Sequence, residues 1–424
     1  MLKFNLAVLI SMLLISFFPQ AYAAGWEKIE IPDNVSTILD DDGRYKNIKP
    51  GCAFSHLPDE AGLPNKPFHF YYRKGTKAKT LIYFNGGGAC WNGATCLTSL
   101  TVPVTQTTRP AYNPSIENEN DPEELGGILD FTRADNPLKD WNMVFVPYCT
   151  GDAHLGSKNE VYVDPSGIIN HGDAVLVQHR GFDNFMAVRE WLKHRADRPG
   201  TEQVLVAGSS AGAYGALMNF PRLHSIYPDK TKISLLSDAG TGVFTSNFLN
   251  TVFEPDGPWG TEHTLATWIP GINRIGSYNA LNFFTSLATG IERHFVNSKF
   301  AYVTTAWDGV QMLFLNTMRK TDQGVNDPNQ WFNLTPVTAV EWSLRMLTTL
   351  HANALINRNS KYYISAGTYH VGLVDAFAPG VFYTEKSAGG IYLKDWVNRL
   401  VTDDRNYPLI NLMCSGTCGA PFPP

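Results

Sequence analysis

Ser210 stands in GSSAG, residues 208–212 of a 424-residue chain. A serine flanked two positions away on each side by glycine is the pattern of a nucleophile on a sharp turn, provided a strand runs in and a helix runs out. Both flanks meet that condition, because VLVA precedes the motif and the small-residue run AGAYGALMNF follows it. Small neighbours let the turn tighten and lift the Ser210 hydroxyl above a sheet. The chemistry such a serine performs is acyl transfer, and it needs a base to take the proton and an acid to orient the base.

Eleven histidines are available. His370 is the preferred base: it ends KYYISAGTYH late in the chain, where the order serine, acid, histidine of this strand–turn–helix arrangement places it. His171, His179, His194, His224 and His351 stand in weaker contexts, and His194 reads as a solvated helix residue. His154 follows the strand ending near Pro147 and is the one rival, as a substrate contact. Two aspartates end strand-like runs, Asp238 in SLLSDAG and Asp308 in VTTAWDG. Asp308 is favoured for orienting His370 because it comes later in the strand order. Asp238 is then a hydrogen-bond acceptor or a pocket residue.

These groups must be carried by a scaffold. The segments 79–88, 141–152, 232–240, 299–309 and 361–370 each read as a strand-like run that passes into glycine or polar residues, and 202–220 reads as a buried strand, a turn and a small-residue helix. Residues 181–195 place apolar side chains at 182, 185, 186, 188, 191 and 192, a helical spacing. Strands alternating with helices imply an α/β fold with a mostly parallel central sheet flanked by helices. In such sheets ligands bind at the carboxyl ends of the strands, where the polar run-ends converge. The aromatic stretch 241–298, broken by Pro and Gly, reads as inserted helices and loops near the site, a lid; 97–138 reads as an irregular surface segment.

Residues 1–23 carry one lysine, an apolar run and small residues at Ala21 and Ala23, a cleaved secretory signal rather than a stable membrane anchor. The expected product is a single domain over 24–424, secreted to an extracellular or periplasmic space. All six cysteines fall in it. Their even number suits disulfides, with Cys90/Cys96 and Cys414/Cys418 as sequence-local pairs and Cys52/Cys149 remaining among 15 connectivities. The spacings match no standard zinc array, so no metal is expected. A formal charge of −5 argues against nucleic acid as a partner. The 10 Trp, 18 Tyr and 24 Phe fill a core and also supply rings able to stack on sugars or grip acyl chains.

The ordered set GGGACWNGATC (86–96), YCTGDAHLGS (148–157), GSSAGAYG (208–215), SDAG (237–240), AWDGVQ (306–311) and GTYH (367–370) resembles the pectin acetylesterase family, which includes Notum-type carboxylesterases. The resemblance covers roughly residues 40–415. It implies a secreted serine carboxylesterase of α/β-hydrolase-like fold without cofactor, with Ser210, Asp308 and His370 as its catalytic residues. The family's oxyanion-hole amides fall near Gly88 and Ala89, joined by Ala211. Gly87, Trp91, His154, Ser209 and Asp238 are candidate substrate contacts. The implied partner is an extracellular ester, foremost an acetylated glycan such as pectin. Two departures stand out. Ala89 occupies the position of a family tryptophan, and Gly367 that of a family cysteine. The smaller residue at 89 opens the alternative of longer acyl, aromatic or polyester substrates. A catalytically silent carbohydrate-binding protein is the competing class.

Overall fold

The computed structural model describes residues 25–421, apart from 33–34, 40–44, 57–66, 102–110, 117–119, 164–171, 267, 270–278 and 403. The expected signal segment and His171 lie outside the described residues. The strands are β1 (Glu27–Glu30), β2 (Val35–Leu39), β3 (Tyr45–Ile48), β4 (His69–Arg73), β5 (Lys79–Phe84), β6 (Asn142–Val146), β7 (Lys158–Tyr162), β8 (Val175–His179), β9 (Gln203–Ser209), β10 (Lys232–Asp238), β11 (Lys299–Thr305), β12 (Ser360–Ser365) and β13 (Leu412–Met413). The helices are α1 (Gly93–Leu97), α2 (Gly181–Lys193), α3 (Ala211–His224), α4 (Ser246–Phe253), α5 (Phe283–His294), α6 (Gly309–Asp322), α7 (Pro328–Trp331), α8 (Pro336–Ile356), α9 (Val381–Thr384) and α10 (Leu393–Val401).

Nine strands form one sheet in the order β1-β4-β6-β5-β9-β10-β11-β12-β13. From β6 to β13 every pair is parallel, while β4 joins β6 and β1 joins β4 antiparallel. The six strand-like runs of the sequence are β5, β6 and β9 to β12, and the 181–195 periodicity is α2. The antiparallel edge and the hairpins β2/β3 and β7/β8 carry no comparable signal; β7, for example, reads KNEVY with only Tyr162 buried.

Both faces of the sheet are covered, and the strand period of two divides the residues between them. Ile82 and Phe84 of β5, with Val204 and Val206 of β9, pack into a cluster containing Phe185 of α2, Leu217 of α3, Ile291 of α5 and Trp342 of α8. Their neighbours Leu81, Tyr83, Leu205 and Ala207 pack on the other side against Phe382 of α9 and Trp396 of α10. This explains why the central strands are nearly continuous apolar runs rather than alternating ones.

The chain leaves β5 to build β6 on one side and returns at β9 to build β10 onward on the other. The carboxyl ends of β5 and β9 therefore flank the topological switch point, the place where an open α/β sheet receives ligands. Three disulfides join Cys52–Cys149, Cys90–Cys96 and Cys414–Cys418, the pairs suggested by the sequence. Among the described residues no helix is long and apolar enough to cross a membrane.

Candidate active site

At the end of β9 the chain reverses into α3 within one residue. Ser210 is that residue, with φ 56° and ψ −124°, a left-handed conformation that a non-glycine residue adopts only when its surroundings hold it. The flanking glycines are needed for contact rather than freedom. A Cβ on Gly208 would lie 2.2 Å from the Gly212 carbonyl oxygen, and one on Gly212 would lie 2.1 Å from the Phe84 carbonyl oxygen. The G-x-S-x-G spacing thus lets α3 start directly against β5.

Asp308 and His370 are brought together by the loops that follow β11 and β12. Ala306 N–H donates to Ser365 O, Trp307 N–H to Gly367 O and Gly309 N–H to Thr368 O, so the two loops run side by side. Asp308 caps α6, its Oδ1 accepting the N–H groups of Val310 at 3.1 Å and Gln311 at 2.9 Å. The Gln311 amide donates to Oδ2 at 2.9 Å. His370 Nδ1 lies 2.9 and 2.8 Å from the two Asp308 oxygens. A carboxylate with this many donors is an acceptor, so the imidazole proton sits on Nδ1 and Nε2 carries the lone pair. Both side chains are buried, and Nε2 has no hydrogen-bond partner among the described residues. Ser210 is therefore not hydrogen-bonded to it, although the two side chains line one cavity.

Asp238 ties the serine turn to the histidine loop. Its carbonyl oxygen accepts Ser210 N–H at 2.8 Å. Its carboxylate accepts the Ser209 hydroxyl at 2.8 Å and the N–H groups of Gly372 at 2.9 Å and Leu373 at 3.0 Å. Ser209 in turn accepts from the Tyr83 hydroxyl. Val371, between His370 and these two amides, is a β-branched residue at φ 56°. Asp238 thus stabilises two strained positions, Ser210 and Val371, on either side of the site. Burial outweighs its hydrogen bonds and pushes its carboxyl up to about 6.

The cavity holds about 700 Å³ of empty space, part of it open to solvent. Gly88, Ala89, Ser210, Ala211 and His370 border one part of it. Leu155, Tyr214 and Met218, then Val243, Phe244, Phe248, Phe253 and Trp259, then Phe314, Met318 and Trp342 supply most of the rest of the wall, with Gln311 among the remaining lining residues. The described parts of the 241–298 segment therefore contribute an apolar wall, with Phe244 and Phe248 stacked at 5.3 Å.

The amides near the cavity differ. Ala89 N–H donates to Ala111 O at 3.0 Å, and Asn113 N–H donates to Gly87 O at 2.9 Å, pairing the glycine loop with residues 111–113. Among the described residues this pairing leaves the Gly88 N–H without a hydrogen-bond partner, and the Ala211 N–H at the first position of α3 likewise has none. Cys90 N–H donates to Gly151 O, and Trp259 donates to Cys90 O, which hold the loop beside its disulfide.

None of the five candidate contacts lines the cavity. His154 is buried with Nε2 on the Asn85 carbonyl at 2.9 Å, and burial pushes its pKa down to about 4, so it is a neutral structural residue. Trp91 is buried edge-on against Phe248, behind the wall. Ser209 and Asp238 lie beneath the turn, and a substituent on Gly87 would point at Tyr148. Of the other histidines, His194 is exposed beside Glu190 as expected, and His179 is buried between Thr150 O and the Tyr162 hydroxyl. Among the described residues Cys90, Cys96 and His179 are the one metal-like grouping, but the two sulfurs are bonded to each other. Gln311 was missed as a site residue. Its signal was the Asp-x-x-Gln spacing of DGVQ, that of a helix capping box, in which a residue at the third helical position reaches back to the cap.

A strand–turn–helix at the switch point of a mainly parallel, helix-covered sheet defines the α/β-hydrolase architecture. A family model described as Pectinacetylesterase matches residues 65–252. The palmitoleoyl-protein carboxylesterase NOTUM of Schmidtea mediterranea is 29% identical over 169 residues, covering 38% of this chain and 28% of that protein. Pectin acetylesterase 11 of Arabidopsis thaliana is 26% identical over 180 residues, covering 41% of this chain and 40% of that one. The matched segments thus span well under half the length of these curated relatives. In fold, the chain is similar to the crystal structure of the Wnt deacylase Notum from Drosophila, with a TM-score of 0.53 at 15% identity over 91% of this chain and 97% of that one. Over part of its length the chain is thus similar to pectin acetylesterases and Notum-type carboxylesterases.

Proposed function

We propose that this protein is a secreted serine carboxylester hydrolase in which Ser210 attacks the ester carbonyl, His370 Nε2 takes its proton and Asp308 holds the imidazole tautomer. The observation that carries the reading is His370 itself, with Nδ1 on both Asp308 oxygens and Nε2 unpartnered at the cavity that Ser210 borders. A rotation of the Ser210 side chain toward Nε2 would complete the relay. Negative charge on the carbonyl oxygen would be met by the N–H groups of Gly88 and Ala211, each such donor contributing several kcal/mol in the transition state. The Ala89 amide, bonded to Ala111, is left out of this role. The alcohol leaves with the proton from His370, and water then cleaves the acyl-enzyme with the same base.

The apolar wall favours a longer acyl chain over acetyl. An acetyl group would fill little of the space between Tyr214, Met218 and the aromatic residues of 241–298. The relatives' names span both cases, one a palmitoleoyl-protein carboxylesterase and one a pectin acetylesterase. The domain reading is one catalytic unit over 24–424 with 241–298 as an insertion roofing the acyl site. Disulfides in a chain with an apolar leader support export.

A series of p-nitrophenyl esters from acetate to palmitate tests the substrate. Each methylene buried in the cavity contributes about 0.8 kcal/mol, so kcat/KM is expected to rise about fourfold per added carbon until the space is filled. A maximum at acetate would return the reading to acetylated glycans. Absence of Ser210 labelling by a fluorophosphonate would favour the silent carbohydrate-binding alternative.

A further inference from the structure

We infer that Phe377 forms the wall of the subsite for the leaving alcohol and selects alcohols that present a flat apolar ring. The inference rests on the proposed roles of Ser210 and His370. The Phe377 ring stands 5.1 Å from the His370 imidazole, with the ring planes at 80°. It is 56% exposed although Val371 to Val374, just before it, are buried. It does not belong to the wall of the apolar cavity. Single exposed phenylalanines are ordinary on protein surfaces. This one differs because it touches the base.

The reaction fixes where the alcohol must be. His370 Nδ1 is committed to Asp308, so the proton taken from Ser210 returns from Nε2 to the departing oxygen. That oxygen therefore sits at the imidazole, and the remainder of the alcohol extends away from the acyl cavity, past the ring that meets the imidazole outside it. The ring is carried on a pinned loop: Asp375 N–H donates to Leu125 O at 2.8 Å, and Asp375 Oδ1 accepts Gly380 N–H at 2.9 Å. A phenyl ring has no hydrogen-bonding group, so it discriminates by flatness and apolarity. The C–H face of a pyranose and an aryl ring both offer this chemistry.

Partitioning of the acyl-enzyme reads this subsite directly. With a p-nitrophenyl ester as donor, an added alcohol competes with water: its oxygen bonds to the acyl carbon, its proton passes to His370 Nε2 and on to Ser210 Oγ, and the bond to Ser210 breaks to give a new ester. Ethanol, benzyl alcohol and a methyl pyranoside are the acceptors, the last two separating an aryl from a sugar source. The parent is expected to favour a ring-bearing acceptor over ethanol, and Phe377→Ala to lose that preference about fivefold, with Phe377→Tyr retaining it. A ring that only shields or orients His370 would slow all acceptors alike, so an unchanged preference in Phe377→Ala, with Ser210 still labelled by a fluorophosphonate, overturns the inference alone. Failure of the parent to be labelled overturns the reaction and this inference together.

Discussion

Asp238 and Asp308 have the same sequence context, an aspartate closing an apolar strand before a glycine or alanine turn, yet their surroundings assign them different work. Asp308 meets an imidazole; Asp238 meets two backbone amides and a hydroxyl, and no base. Asp308→Asn is expected to present the wrong tautomer of His370 to Ser210 and lower kcat by a factor on the order of 10⁴ with the fold intact. Asp238→Asn should lose far less activity; steady-state kinetics giving the reverse order would exchange the two roles. Asp238 also has a pH signature. Its folded pKa, about 6, lies above the ordinary aspartate value, so the folded state holds the proton more tightly than the unfolded one. Its contribution to stability is fully present below about pH 4 and is lost as pH rises through about 6, a change of up to about 3 kcal/mol. Denaturant unfolding at pH 4, 5, 6 and 7 should show the parent losing stability relative to Asp238→Asn across that window. A constant difference would remove the shift. The sequence favoured Asp308 through strand order and through the family resemblance. It could not show that Asp238 sits under the turn, because that depends on which loops pair across 134 residues of chain.

At the scale of elements, the site is a set of loop ends fastened to one another. Gln311 is the clearest fastener, since its Nε2 donates to Asp308 while its Oε1 accepts the N–H and hydroxyl of Thr241 at 3.1 and 2.8 Å, joining α6 to the start of the 241–298 segment. Gln311→Leu is expected to reduce unfolding free energy by about 2 kcal/mol, the scale of a lost hydrogen bond to a charged group. Gln311→Glu should be worse, because a second carboxylate would face Asp308 in a buried space; chemical denaturation in which Glu is tolerated better than Leu would contradict this geometry. The C-terminal disulfide loop fastens the other side, Cys418 O accepting Gly367 N–H and Thr417 O accepting the Trp307 indole N–H. Gly367 is thus held by a backbone bond from the disulfide loop. Local signals made much of this readable: strands ending in polar residues, a glycine-bracketed serine, closely spaced cysteines. The pairing of the glycine loop with residues 111–113 was not, and it is this long-range contact that separates the Gly88 amide from that of Ala89.

The apolar cavity exists only at the scale of the whole molecule. Its wall draws on α3, α4, α6, α8 and the stretches on either side of α4, and no short window of sequence contains enough of it to be recognised. The surplus of aromatic residues was visible from composition, but whether those rings faced sugars, acyl chains or only one another depended on how the helices covering one sheet face met the segment after β10. Because α3 begins at Ser210, its own geometry measures depth. Met218 follows Ser210 by two helical turns, about 12 Å along the axis, roughly ten bonds of an extended chain. Met218→Trp would fill the cavity near that depth without touching the groups around Ser210. The expected result is retained turnover of p-nitrophenyl acetate and butyrate, with kcat/KM for decanoate and longer esters reduced more than tenfold and the optimum moved to shorter chains. Thermal unfolding controls for overpacking, which typically costs about 1–3 kcal/mol when a core cannot adjust. If all chain lengths fell together in a protein of parental stability, the chain would not run along α3, and the acyl site would have to be sought toward the opening of the cavity instead.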